Sequence, residues 1–384
     1  MQTRFTRAPQ SFRLSFIVCC FAALGLVGCG GSDDGGGEAP QTYAQRCFLS
    51  EGPSTANILQ LPAPTGSHCI GKTSFHLVDS TRPELNTPEE ADRRELSVKV
   101  WYPSVPSGSR TRAAYMDPAV AALVKPQFLM PTNADALTNA KPDAGLSPGS
   151  KYPVVIFSPG YGGVVEAYST ILEDMASHGI IVVAIDHPYI SAATALNSGQ
   201  VALVRLPEDP TDAQKFEELV AAAAPVEIGD QRQVLDWLQG PGTGLLGGHL
   251  DLTRIGAYGH SFGGSGAIQA ARVDERIKAA MDIDGTVMGD TSGPWSKPLM
   301  FLLAENHTEH PTIDAVLRNA TGPHTTYILK NAGHYDFSDL KLILNFYAPE
   351  QDLTLLNVGT VDARSALQTT REQTFAFFQQ HLFP

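Results

Sequence analysis

The sequence predicts an α/β protein, with a mostly parallel central sheet, helices on both faces and loop-rich insertions. Two observations carry that expectation. From residue 154 onward, short continuous apolar runs alternate with stretches of helical spacing, and the runs are apolar on both faces, as strands covered from both sides must be. Ahead of them, Phe75-His76-Leu77-Val78 and Leu96-Ser97-Val98-Lys99-Val100-Trp101 alternate as half-buried strands do, which suits an antiparallel edge.

Taken in order, residues 103–152 are rich in Pro, Ser, Asn and Ala and read as a loop-heavy insertion with short helices at best. Val154-Val155-Ile156-Phe157 is a buried strand, residues 166–178 a helix and 180–185 the next strand. A second insertion covers 191–210. Residues 226–238 then read as a helix with Val234, Leu235 and Leu238 on one side. Strands follow at 254–258, 277–283, 299–304 and 327–329, with a helix of small residues at 262–272 and an amphipathic helix around His381. With 384 residues, 43% of them hydrophobic, the chain can build one large core, and residues 47–384 are expected to form a single catalytic domain.

The N-terminus reads as an address. Arg4, Arg7 and Arg13 precede an apolar stretch over 15–27, too short to span a bilayer comfortably. Leu26-Val27-Gly28-Cys29 resembles the bacterial lipobox, which implies removal of residues 1–28 and acylation of Cys29. Residues 29–46, opening on a Gly/Ser/Asp run, then read as a flexible tether. Export and anchoring at the outer membrane of a Gram-negative bacterium are expected, because Gly30 rather than Asp follows the cysteine. Export permits disulfides, and Cys47 and Cys69, the only cysteines of the body, are expected to pair.

Charge narrows the partners. The net charge is −13, and beyond residue 28 there are 24 basic against 40 acidic residues, or −16. Such a surface repels phosphate backbones, so no nucleic-acid partner is expected. A zinc site would want more Cys and His ligands at short spacing than this sequence offers, so neither metal nor cofactor is expected.

Gly259-His260-Ser261-Phe262-Gly263 fits Gly-x-Ser-x-Gly between a predicted strand and a predicted helix. That turn strains the serine backbone, glycine at both ends removes clashes, and the helix N-terminus favours an anion. These are features of the α/β-hydrolase fold, in which chain order is Ser, then acid, then His. His334 follows the last strand and is expected to be the base, whereas His307, His310, His324 and His381 read as surface or packing residues. For the acid, Asp284 at the end of its strand is preferred, Glu305 is the alternative, and Asp282 lies deeper. The backbone N–H groups of Phe262 and of Tyr161, in Ser158-Pro159-Gly160-Tyr161-Gly162-Gly163, are expected to form the oxyanion hole.

Several of these segments together resemble the platelet-activating factor acetylhydrolase family of the secreted and bacterial type. Phe157-Ser158-Pro159-Gly160-Tyr161-Gly162 is similar to its Phe-Ser-His-Gly-x-Gly loop, with Pro159 in place of the His. Gly259-His260-Ser261-Phe262-Gly263-Gly264 matches its nucleophile turn, Asp284 stands where its acid does, and His334 with Phe337 and Asp339 resembles its His-x-x-Phe-x-Asp. The likeness spans roughly residues 96–340, and the two insertions have no counterpart in it. It implies metal-independent hydrolysis of short or oxidised acyl esters, on phospholipids, through Ser261, His334 and Asp284. General carboxylesterase, polyester hydrolase and acyltransferase activities use the same residues, and a non-catalytic, lipid- or partner-binding surface lipoprotein is the reading outside enzymes.

Overall fold

The apolar runs hydrogen-bond side by side into one nine-stranded sheet. In chain order its strands are β1 (Cys69–Pro83), β2 (Arg93–Ser104), β3 (Ala140–Pro142), β4 (Tyr152–Ser158), β5 (Ile181–Asp186), β6 (Leu250–His260), β7 (Ile277–Ile283), β8 (Leu299–Ala304) and β9 (His324–Leu329). Across the sheet they lie as β9-β8-β7-β6-β4-β5-β2-β1-β3. Strands β4 to β9 pair in parallel, and β2 runs antiparallel to both β1 and β5. This is the α/β-hydrolase arrangement expected from the sequence, with the antiparallel edge supplied by the leading strands.

The computed structural model describes residues 41–48, 57–106, 111–149, 151–209, 211–307, 310–353 and 356–384. Residues 1–28, expected to be a signal segment, Cys29 and the Gly/Ser/Asp run lie outside the described residues. The helices are α1 (Tyr43–Cys47), α2 (Pro118–Gln127), α3 (Ser169–Ser177), α4 (Ala213–Gln239), α5 (Phe262–Val273), α6 (Pro311–Arg318), α7 (Leu340–Tyr347) and α8 (Ala363–Leu382). Period-2 alternation divides each buried strand between two cores. Val155 and Phe157 pack with Leu172 of α3, Leu344 of α7 and Phe378 of α8, while Val154 and Ile156 pack with Leu235 of α4, Ile268 of α5 and Ile313 of α6. The direction in which successive strands are added reverses at β4, which has β5 on one side and β6 on the other. Ligand sites of open α/β sheets form beyond the carboxyl ends of the strands at such a point.

Several elements depart from the sequence expectation. Residues 43–46, assigned to the tether, are helical: Thr42 and Gln45 form a capping box, and Tyr43 and Cys47 are buried. The compact unit runs from Gln41 to Pro384. Within 103–152, α2 is started by the Asp117 side chain with Pro118 in the first turn, and it buries Val120, Ala121 and Val124. Part of 191–210 is a hairpin, Ala193–Ala195 against Val201–Leu203. Helix α4 starts at Ala213, well before the expected 226, and contains Pro225. Proline removes one helical hydrogen bond, but Val220 and Ala223 are held by packing with Ile190 and Phe262. Short helices α6 and α7 were not legible in the sequence. Among the described residues no helix is long and apolar enough to cross a membrane.

Cys47 and Cys69 are joined in a disulfide, 22 residues apart, which ties α1 to the first residue of β1. Closing a loop of that length restricts the unfolded chain and contributes about 3 kcal/mol. Cys47→Ala with Cys69→Ala is therefore expected to lower unfolding free energy by about 2–4 kcal/mol in urea titrations, and dithiothreitol should lower the stability of the unaltered chain but not that of the variant.

Candidate active site

Ser261 sits between the last residue of β6 and the first of α5 with φ 56° and ψ −119°. A side chain in that region costs roughly 1–3 kcal/mol and persists only where the surroundings over-determine it. Here they do. A Cβ on Gly259 would lie 2.2 Å from the Gly263 carbonyl carbon, and one on Gly263 would lie 2.1 Å from the Ser158 carbonyl oxygen. The Ser261 N–H donates to the Ile283 carbonyl at 2.7 Å, pinning the turn to the end of β7. The serine is partly exposed although its neighbours on both sides are buried.

The loop after β4 lies against this turn, since a Cβ on Gly160 would come within 3.2 Å of Ser261 Cβ. In the loop, the Gly162 N–H donates to Ile190 and the Gly163 N–H to Gly160, both at 2.8 Å. The N–H groups of Tyr161 and Phe262 make no backbone hydrogen bond among the described residues, and Phe262 opens α5, where amides lack helical acceptors. The Tyr161 and Phe262 rings meet edge to face at 5.6 Å, and the Tyr161 hydroxyl donates to the Arg205 carbonyl of the second insertion at 2.6 Å.

Asp284 receives His334: Nδ1 donates to the carboxylate at 2.6 Å. Its other oxygen accepts the Ala304 N–H at 2.7 Å and a second imidazole, His307 Nδ1, at 3.2 Å. Burial opposes ionisation of Asp284, but the hydrogen bonds from His307 and His334 prevail and hold its carboxyl well below the usual carboxylate range. Asp282 is deeper. Burial raises it toward the neutral form, and it accepts the Gly285 N–H at 2.8 Å. Glu305 is exposed and accepts the Asn331 N–H at 2.9 Å, and no hydrogen bond or ion pair joins it to His334 among the described residues. The Ser261 hydroxyl itself makes no side-chain hydrogen bond to the helix that it caps, and none to His334 among the described residues. In ligand-free sites such bonds are often long and tighten with substrate.

The family model for platelet-activating factor acetylhydrolase, isoform II, matches residues 60–210 and 232–383. The chain belongs to that family. Among its relatives, the platelet-activating factor acetylhydrolases of Cavia porcellus and Gallus gallus are each 24% identical, over 63% of this chain and 60% and 65% of their own lengths. A probable 1-alkyl-2-acetylglycerophosphocholine esterase of Arthroderma benhamiae is 23% identical over 84% of this chain and 88% of its own. The solved structure of a ferulic acid esterase from Streptomyces cinnamoneus superposes with a TM-score of 0.70 and 30% identity, covering 84% of this chain and 93% of that one. The chain thus spans less than two thirds of the first two acetylhydrolases.

In this member of the family, three groups that sequence reasoning passed over hold the site together. His260, the variable residue of the Gly-x-Ser-x-Gly turn, is buried. Its Nε2 faces the His334 carbonyl at 2.8 Å and must donate, so its Nδ1 accepts from the Tyr168 hydroxyl at 2.8 Å. Burial, then the His334 charge, lowers its pKa to about 3, so the ring stays neutral and clips the His334 loop to the serine turn. His307, expected to be a surface or packing residue, instead shares Asp284 because the turn after β8 folds over the end of β7. Ligand atoms of His260, Asp284 and His334 lie within 4.8 Å of one another and could in principle hold a cation, but both His260 nitrogens already have protein partners.

The third is a second serine–histidine–aspartate arrangement. Ser158 Oγ lies 3.0 Å from His187 Nε2, and His187 Nδ1 donates to Asp230 at 2.8 Å. All three residues are at most 1% exposed, so no ester can reach Ser158. Asp230 also takes two hydrogen bonds from buried Arg94. This network anchors the strand end from which the Tyr161 loop departs. Its only sequence signal was the position of Ser158 and His187, just beyond or at the carboxyl ends of adjacent strands.

Because His260 stays neutral in the fold and titrates near 6.5 when unfolded, the unfolded chain takes up a proton first as pH falls. Stability is then expected to decline from about pH 6.5 toward 3, by about 1 kcal/mol per pH unit from this group. Urea titrations of His260→Gln should show a shallower decline over that window. Equal slopes for the two proteins would contradict the assignment.

Proposed function

We propose that this protein is a serine-dependent carboxylic-ester hydrolase that cleaves short or oxidised acyl esters of phospholipids. The observation that supports it most is the 2.6 Å bond from His334 to Asp284, set beside the strained Ser261 turn, in a chain of the acetylhydrolase family. Asp284 can only accept, so the His334 proton resides on Nδ1 and the lone pair of Nε2 is left for the serine. Ser261 Oγ attacks the acyl carbonyl carbon as His334 takes its proton. The N–H groups of Tyr161 and Phe262 then bind the oxyanion, worth roughly 3 kcal/mol each. Collapse breaks the ester C–O bond, the alcohol leaves with the His334 proton, and an acyl-Ser261 ester remains. Water, deprotonated by His334, releases the acid.

The likeness to a ferulic acid esterase over 93% of its chain favours a second reading on the same residues, a general short-chain carboxylesterase or polyester hydrolase. Rates on acetylated and oxidised phosphatidylcholines, p-nitrophenyl esters, methyl ferulate and a polyester film distinguish the two. Phospholipid turnover that trails the simple esters by orders of magnitude would reject the first reading.

Ser261→Ala is expected to abolish turnover and fluorophosphonate labelling without loss of the folded state, whereas labelling elsewhere would overturn the nucleophile. Asp284→Asn should lower kcat by roughly 10⁴, and Glu305→Gln should leave it within a few-fold. The reverse order would move the acid to Glu305. The N-terminal address enters the same proposal: Cys29 is acylated and holds the domain at the outer membrane. Cys29→Ser should shift the protein from the membrane to the soluble fraction, and membrane retention would contradict it.

A further inference from the structure

Asp284 carries more than a catalytic acid needs. One oxygen serves His334 alone, at 2.6 Å, while the other accepts the Ala304 amide at 2.7 Å and His307 Nδ1 at 3.2 Å. The two imidazoles therefore flank one buried carboxylate. We infer that His307 is a positioning and tuning residue, whose protonation weakens the pull of Asp284 on His334 and so sets the pH at which His334 can take the serine proton. This inference rests on the ester-hydrolase reading above.

The geometry makes the effect one of charge rather than of bonding. A carboxylate only accepts, so His307 Nδ1 carries hydrogen in both of its protonation states, and the proton that comes and goes is on Nε2. The bond to Asp284 survives while the ring switches between neutral and positive. Solvent can deliver that proton, because the His307 side chain is 24% exposed against 2% for Asp284. When it arrives, one aspartate charge is divided between two imidazolium partners, and the positive His334 that forms during acylation is held less well.

Among the described residues, the groups around His307 leave Asp284 as its dominant neighbour. From β7 and its turn come Asp284 and Asp282, the latter driven by burial toward its neutral form. From the segment before α6 comes His310, with ring centroids at 5.9 Å, lowered by burial and by His307, and opposed by Asp314. From the end of β6 comes His260, kept neutral by burial. The hydrogen bond to Asp284 outweighs the burial of His307 and raises its pKa above the ordinary histidine value. Coupled groups of this kind come off as a pair.

Two measurements test the inference on the full-length protein in detergent. The first is the acidic limb of the kcat/KM profile for p-nitrophenyl butyrate, with His307→Gln as the permanently neutral variant and His307→Lys as the permanently positive one. Removing the charge lets His334 keep its proton to higher pH, so the limb of His307→Gln should move upward by roughly half to one pH unit. That of His307→Lys should move downward. A merely structural role would not shift the limb in opposite directions, and the second variant covers misfolding of the first. The second measurement follows the His307 ring by NMR in the unaltered chain and in His334→Gln. Since coupling is reciprocal, its titration midpoint should rise by a similar amount when His334 is removed. An acidic limb common to all three proteins, or a His307 midpoint indifferent to His334→Gln, overturns the inference. If no Ser261-dependent hydrolysis is found, the hydrolase reading fails, and the ring titration, which needs no turnover, decides the coupling by itself.

Discussion

Ser261 adopts a backbone conformation that an isolated serine avoids, and much of the surrounding structure serves to keep it there. Strand β6 and helix α5 must approach so closely that a methyl group at Gly259 or Gly263 would penetrate backbone atoms. The turn is then fixed by the Ser261 N–H on Ile283, at the end of the neighbouring strand. That bond makes the order of strands matter. With β7 beside β6, Asp284 emerges next to the serine, and with β4 on the other side, the Tyr161 loop does too. Strain at Ser261 is thus balanced by sheet hydrogen bonds and by packing on both faces of the sheet.

Electrostatics in the site follow from burial acting on acids of different company. Asp282 and Asp284 are two residues apart and both nearly inaccessible. Asp282 has one amide donor and a second oxygen without a partner, so burial prevails and the group is driven toward neutrality. Asp284 has an amide and two imidazoles, and it remains a carboxylate. The histidines sort in the same way. His260 is enclosed and neutral, suited to holding a carbonyl and a tyrosine hydroxyl in place, whereas His307 and His334 reach solvent beside a carboxylate.

Two sets of serine, histidine and aspartate lie among the described residues: Ser158 is hydrogen-bonded to its histidine, Ser261 is not, and access divides them further. Ser158, His187 and Asp230 have suitable spacing, yet they are sealed beneath the sheet's carboxyl edge and tied to Arg94. Ser261 stands on a partly exposed bend at a helix N-terminus, beside amides that make no backbone hydrogen bond among the described residues. Spacing between side chains is therefore a poor guide to reactivity unless the nucleophile can meet both substrate and an oxyanion site.

Much of this was legible in the sequence because it is local. Two glycines flanking a serine between an apolar strand and a helix of small residues specify a bend through sterics alone. Period-2 alternation gave Asp282 and Asp284 a shared face, the carboxyl end of the strand put Asp284 nearer the rim, and the two body cysteines had each other as partners. Other features depended on residues far apart in the chain. His307 looked like a loop residue until β8 was laid beside β7, His260 like a spacer until the His334 loop came down on it, and residues 103–152 like loops with short helices at best until α2 found a core to bury Val120 and Val124. Backbone preferences are set by nearest neighbours and survive in a one-dimensional reading. Solvent access and side-chain partnership are properties of the packed interior, and only the folded chain decides them.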